Sequence, residues 1–295
     1  MREILASMGA TRYILDKYGI RARKKYGQNF LVDAGVVQGI VEAAQITEDD
    51  CVLEIGPGIG SMTQLLSKAA GQVICVEIDE SLAPVLEETL GDCANVKILW
   101  QDILKTDLQE ICDTYNEGRP LKVVANLPYY VTTPILMELL AHKGVFSSIT
   151  VMVQKEVADR IRSGPGRKEY GALSLAVQYY ADPEVVMTVQ PGSFFPRPEV
   201  ESTVLKLEAY EKPPVDANER VMFALIRASF NQRRKTLANA VSHGYRLDGR
   251  VISREEVTAA LERMGLSPTE RGERLSLEQF AELSHLLEQP SFVLT

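Results

Sequence analysis

The sequence predicts a doubly wound α/β domain followed by a smaller all-helical one, and three features of its 295 residues carry that prediction. Short β-branched-rich runs alternate with amphipathic stretches through the first half of the chain. A glycine-rich turn, EIGPGIG, closes the first of those runs. Beyond a proline-bearing linker, EKPPVD around Lys212, every apolar pattern has the helical period. Near-continuous apolar strands need cover on both faces, which a parallel sheet with crossover helices supplies.

In order, the expected strands are CVLEIG, QVICVEID, VKILWQD, LKVVANLP and SITVMVQ. SMTQLLSKA, SLAPVLEETL and TPILMELLA recur at helical spacing between the first, second and last pairs of these runs. SLAVQYY, EVVMTV and STVLKLE read as later strands, two of them a hairpin that completes the sheet. MFALIRASF, KTLANAVS, SREEVTAALERM and SLEQFAELSHLL read as helices. The expected division is therefore 1–211 for the α/β domain with a basic N-terminal segment, and 212–295 for the helical domain.

Composition narrows the function classes. No apolar run approaches the ~20 residues of a membrane span, and no signal-peptide core opens the chain, so a cytoplasmic protein is expected. Cys51, Cys75, Cys93 and Cys112 form no CxxC pair, and buried free thiols are favoured over a metal site or disulfides. The formal net charge of −8 speaks against nucleic-acid binding, but its distribution does not. Arg12, Lys17, Arg21, Arg23, Lys24 and Lys25 precede one motif, and Arg227, Arg233, Arg234 and Lys235 follow one another with no acidic residue between them. Either cluster alone would pass for a solvated face. Two on an acidic chain point to focused phosphate contacts.

The motifs set the chemistry. Gly56, Gly58 and Gly60 make a strand-to-helix turn whose backbone N–H groups suit a carboxylate or phosphate. The next strand ends in Glu77, placed to grip a ribose diol, and the third in Asp102, an acceptor for an exocyclic amino group. A dinucleotide would call for glycine at Ser61, and the few histidines lie away from these motifs. S-adenosylmethionine fits all three positions. After the fourth strand comes NLPY. Asn126 and the Leu127 carbonyl can accept the two hydrogens of an adenine amine and free its lone pair, Pro128 stiffens the turn, and Tyr129 stacks on the base. Positioning and electrostatics then carry the catalysis, because the sulfonium leaving group departs neutral. Phe194, in the loop FFPRP, is the candidate for the second face of an aromatic sandwich.

GQNFL at residues 27–31, EIGPGIG, NLPYY, FFPRP and FNQRRKTL together resemble the KsgA (RsmA) family of rRNA adenine dimethyltransferases, in order along nearly the whole chain. The resemblance implies a Rossmann-like methyltransferase domain with a helical C-terminal domain for RNA recognition. It also implies N6-dimethylation of two adjacent adenosines in the 3′-terminal hairpin of 16S rRNA, on a small ribosomal subunit precursor. Cofactor contacts would fall on Asn29, Leu31, Gly56, Glu77, Asp102 and Asn126, with Gln28, Ile78 and Ile103 beside them. No metal is expected, and a monomer is. Two rivals stay open: an Erm-type methylase of large-subunit 23S rRNA, which shares QNFL and NLPY, and an assembly factor with a vestigial pocket. FNQRRKTL and the helical tail disfavour the first, and the intact acceptors Glu77, Asp102 and Asn126 disfavour the second. A DNA adenine methylase would need a larger target-recognition domain.

Overall fold

The computed structural model describes residues 5–21, 23, 27–244, 246–247 and 250–289. Seven strands form its main sheet: β1 (Cys51–Ile55), β2 (Gln72–Glu77), β3 (Val96–Trp100), β4 (Leu121–Asn126), β5 (Phe146–Gln154), β6 (Ala181–Val189) and β7 (Ser202–Ala209). Their order is β3-β2-β1-β4-β5-β7-β6. The first five run parallel, in registers such as Glu54 with Cys75 and Ile55 with Ala125. β7 lies antiparallel between β5 and β6, the expected hairpin closing the sheet. All five residues of β1 are buried, as a central parallel strand requires.

The helices of this unit are α1 (Met8–Lys17), α2 (Ala34–Ala43), α3 (Thr63–Ala69), α4 (Ala83–Leu90), α5 (Leu108–Asn116) and α6 (Thr132–Ala141). Carboxylate caps set two of their starts: Asp33 accepts from Gly35 N and Val36 N to open α2, and Asp107 accepts from Glu110 N to open α5. Residues of α2, β1, β2 and β7 share one core with Leu31 and Phe194. Phe30–Leu31 pair antiparallel with Phe194–Phe195, tying the GQNFL segment to the FFPRP loop.

The chain divides into two compact units, 1–158 with 181–209 and 159–180 with 210–295. The single cut expected after residue 211 is thus replaced by an exchange. A short helix, α7 (Lys155–Ile161), leads out of β5, and residues 159–180 join the C-terminal unit before the chain returns at β6. SLAVQYY, expected as a strand, lies in that segment and is helical, within α8 (Ala172–Tyr180). Leu173 to Val177 and Tyr179 are all buried, so no polar stripe reveals the helical period, and a short apolar run cannot separate the two states.

The four helices expected beyond the linker are present: α9 (Glu219–Asn231), α10 (Leu237–Gly244), α11 (Arg254–Arg263) and α12 (Leu277–Glu288). Ser253 with Glu256 and Ser276 with Gln279 form complete capping boxes at the starts of α11 and α12. Tyr170 from the inserted segment sits edge-on to Phe230 and donates its hydroxyl to Leu275 O at 2.8 Å. Among the described residues no helix is long and apolar enough to cross a membrane, and no cluster of three metal-ligating side chains occurs.

Candidate active site

A cavity of about 240 Å³ opens at the C-terminal ends of β1 to β4, where an open α/β sheet places its ligand. β1 delivers the glycine turn. Gly56, Gly58 and Gly60 all have positive φ, and the first two line the cavity. Gly60 does not: a Cβ there would lie 2.9 Å from Leu90 Cδ2, so this glycine serves close packing of the turn on α4. Its expected cofactor contact is thereby replaced by a structural one.

β2 delivers Glu77, which is 5% exposed. Its Oε1 accepts Asp79 N at 2.8 Å and its Oε2 accepts Gly58 N at 3.4 Å. Burial raises its pKa, and those backbone donors oppose the rise. Ile78, exposed at 43%, and buried Ile103 both line the cavity. Asp102, at the end of β3, is half-buried and accepts Leu104 N at 3.1 Å, which fixes its carboxylate beside the cavity.

β4 delivers NLPY. Asn126 Nδ2 donates to Asn29 O at 3.0 Å. A backbone carbonyl can only accept, so this bond sets which end of the carboxamide is nitrogen and leaves Oδ1 as the acceptor. Pro128 O is taken by Val131 N and by Thr132 Oγ1, whereas Leu127 O takes no hydrogen bond from the described residues. Tyr129 lines the cavity with its hydroxyl 2.7 Å from Ser202 Oγ, and burial raises its pKa. The GQNFL segment crosses the cavity and lines it from Gly27 to Leu31. A Cβ on Gly27 would lie 3.2 Å from Tyr130 Cδ1 and 3.6 Å from Pro128 Cβ, so only glycine lets the segment approach the NLPY turn this closely. The side chain of Gln28 turns to Asp79, and that of Asn29 to Gly27 O.

Two further expectations are corrected. Phe194 is 1% exposed and packs in the core with Leu31, Met62, Val189 and Val204, because its pairing with Leu31 draws the ring inward. It is not among the residues lining the cavity. Phe195 is the half-buried member of the pair, with the Arg12 guanidinium 5.2 Å from its ring centre. Arg23, expected on phosphate, is in an ion pair with Asp79 at 3.1 Å. Lys24 and Lys25 lie outside the described residues.

In the C-terminal cluster, Arg233 donates to Glu273 at 2.6 Å and to Arg167 O at 3.2 Å. Arg227 is exposed on α9. Arg234 and Lys235 are exposed in the turn after it, without an ion pair among the described residues.

Glu54 was missed. It is 0% exposed, next to last in β1, lines the cavity, and its Oε1 has no hydrogen-bond partner among the described residues. Its Oε2 accepts the Cys75 thiol at 3.5 Å, and burial pushes its pKa up to about 7. An acid inside VLEIG was the available signal. A buried orphan acceptor beneath a glycine turn suits a cationic end of a ligand, as the donor-rich turn suits a carboxylate.

Residues 19–289 match the family model described as ribosomal RNA adenine dimethylase. The chain is 52% identical over 278 residues to the ribosomal RNA small subunit methyltransferase A of Lachnoclostridium phytofermentans, covering 94% of this chain and 95% of the relative. It is 47% identical over 281 residues to the protein of the same description from Alkaliphilus metalliredigens, covering 95% and 96%. Among solved structures, a dimethyladenosine transferase from Plasmodium falciparum superposes with a TM-score of 0.70 at 26% identity, covering 86% of this chain and 95% of that one. The 23S rRNA methyltransferase ErmE superposes at 0.64, also at 26% identity, covering 88% and 100%.

Proposed function

The chain belongs to the ribosomal RNA adenine dimethylase family, and from that premise we propose that it N6-dimethylates two adjacent adenosines in the 3′-terminal hairpin of 16S rRNA. The proposed substrate is a small-subunit precursor in the cytoplasm, and the enzyme acts as a monomer. S-adenosylmethionine supplies an electrophilic methyl group on a sulfonium centre.

The residues present fit that cofactor. Glu77 is placed to bind the ribose hydroxyls, Asp102 the adenine amino group, and the Ile78 and Ile103 side chains the faces of the adenine. The glycine turn at Gly56 and Gly58 suits the carboxylate of the methionine moiety, and the orphan oxygen of Glu54 suits its ammonium. The observation that carries the reading is the orientation of Asn126. With Nδ2 bound to Asn29 O, its Oδ1 is available to accept one hydrogen of a target amine, and Leu127 O is available for the other. Two acceptors on one amine favour a pyramidal nitrogen whose lone pair points away from them. Tyr129 offers a ring for stacking, worth roughly 1–3 kcal/mol in comparable contacts. The amine's surplus proton can leave after transfer, so no strong base is needed. Arg227, Arg234 and Lys235 are the proposed phosphate contacts, with Arg233 held back by Glu273.

The likeness to ErmE leaves the same chemistry possible on another RNA, and the relatives over 40% identical favour the small subunit. The test is methyl transfer from labelled S-adenosylmethionine to undermethylated small subunits, with large subunits alongside. Mass spectrometry of both RNAs should find dimethyladenosine in 16S rRNA alone. Modification confined to 23S rRNA would overturn the substrate assignment, and transfer to neither would favour a non-catalytic assembly factor.

A further inference from the structure

The Asp79 side chain has no assigned part in holding cofactor or base, yet the residue is 2% exposed and gathers four donors. Its Oδ1 accepts Ser81 Oγ at 2.7 Å, Ser81 N at 3.3 Å and Arg23 Nη1 at 3.1 Å. Its Oδ2 accepts Gln28 Nε2 at 3.0 Å, and Gln28 Oε1 in turn accepts Arg23 N at 2.8 Å. The Ser81 bonds are an ordinary cap on a short turn of 3-10 helix. The other two reach back more than fifty residues to the GQNFL segment and the residues before it.

That segment is fixed at both sides of the cavity. On the β2 side, Gln28 and Arg23 are held by Asp79. On the β4 side, the next residue accepts Asn126 Nδ2 through its carbonyl, and Gly27 lies against Pro128 and Tyr130. The Asn29 carbonyl decides which end of the Asn126 carboxamide is oxygen. A carboxamide is nearly symmetric in shape, so little else prevents its rotation by half a turn. Rotated, it would present N–H donors to an amine that needs an acceptor.

We propose that Asp79 is a positioning residue: by anchoring Gln28 and Arg23 it holds residues 27–31 across the cavity, and the Asn29 carbonyl thereby keeps the Asn126 oxygen turned toward the target amine. This rests on the reading of Asn126 as the acceptor for that amine. The residue is distinct from the groups that hold cofactor, since it holds Gln28 and Arg23 from behind and is not itself among the residues lining the cavity. Removing the anchor should lower the productive fraction at every turnover, including at saturating substrate.

The test is steady-state transfer to small subunits by Asp79→Ala, Gln28→Ala, the double variant, Asp79→Asn and Ser81→Ala. Asp79→Ala and Gln28→Ala should each lower kcat about ten- to a hundred-fold, the scale of a small misplacement at a reacting centre. The KM for small subunits should stay within about twofold, since the proposed phosphate-binding side chains lie elsewhere. The double variant should be no slower than the more impaired single variant, because the Gln28–Asp79 bond is already lost in either one. Asp79→Asn keeps an acceptor for Gln28 and should recover part of the rate. Ser81→Ala removes the hydroxyl bond to Asp79 but leaves the Arg23 and Gln28 bonds in place, and should turn over like wild type. Effects that multiply in the double variant would overturn the proposal, as would wild-type kcat in Asp79→Ala or a Ser81→Ala defect equal to that of Asp79→Ala. If Asp79→Ala does not fold, Gln28→Ala and Asp79→Asn decide, and wild-type kcat in Gln28→Ala overturns it. A wild-type enzyme that methylates no RNA would instead remove the reading of the site itself.

Discussion

Glu54 should make the free protein less stable as pH rises through the neutral range. Burial lifts its pKa from an ordinary 4.5 to about 7, and no hydrogen bond reaches its Oε1 among the described residues. Between these two values the folded chain holds a proton that the unfolded chain has already released. Stability therefore falls with rising pH across that window, is unaffected by this group below it, and carries the full cost above it. The span from 4.5 to about 7, at about 1.4 kcal/mol per pH unit, comes to about 3–4 kcal/mol. In Glu54→Gln the group cannot ionise, so the cost disappears, while any misfit of the amide is the same at every pH. Urea unfolding of both proteins without cofactor at pH 5 and pH 8 measures the difference. Relative to the variant, wild type should become less stable by about 2–3 kcal/mol between those values. Parallel profiles for the two proteins would show that Glu54 ionises normally, and the cavity floor would then be wetter or better paired than the structure has it.

Further outcomes follow from the same geometry. Asn126→Ala should lower kcat on the order of 10²–10³ with small-subunit binding nearly unchanged, as when one preorganised polar group is removed from a reacting centre, read by single-turnover transfer beside a binding titration with small subunits. Phe194→Ala should cost about 3–5 kcal/mol of stability in urea unfolding, because its ring is core; slow transfer at undiminished stability would return Phe194 to the target base. Neutral replacement of Arg234 and Lys235 should weaken small-subunit binding and lower the slope of log affinity against log salt by about one for each phosphate no longer neutralised, with cofactor titration unaltered.

Much of this was legible in the sequence because strand ends are chemically conspicuous. An apolar run that stops at a carboxylate or a carboxamide marks both the element and the ligand-facing position, and Glu77, Asp102 and Asn126 all stand at or just beyond such stops. Glu54 escaped for the complementary reason: it lies one residue inside its run, where an acid reads as an irregularity in a strand. SLAVQYY failed because a helix buried on all sides has no polar face to set its period. Phe194 failed because a loop aromatic looks exposed until its strand partner is known, and Leu31 is more than 160 residues away. The bonds that orient the site, Asn126 to Asn29 O and Gln28 to Asp79, also join residues far apart along the chain. The first uses a backbone acceptor, which every residue type carries, so no residue pattern can announce it.

The charge pattern of the chain makes sense once binding and chemistry are assigned to different groups. An adenine amine is neutral and offers no charge for an enzyme to grip. Its reactivity depends on acceptors being held still, and acceptors are what line this cavity: Glu54, Glu77, Asp102, and the oxygens of Asn126 and Leu127. Such a lining repels phosphate, so phosphate contacts must come from cations outside it that no carboxylate already holds; Arg23 is paired with Asp79 and Arg233 with Glu273. Cations that remain exposed, such as Arg234 and Lys235, are those available to a polyanion. A net charge of −8 is therefore compatible with an RNA substrate, provided that the RNA is caught by a few exposed side chains and the base alone enters the acidic cavity. The same division explains why the basic residues should govern affinity and salt dependence, whereas Asn126 and the segment that orients it should govern turnover.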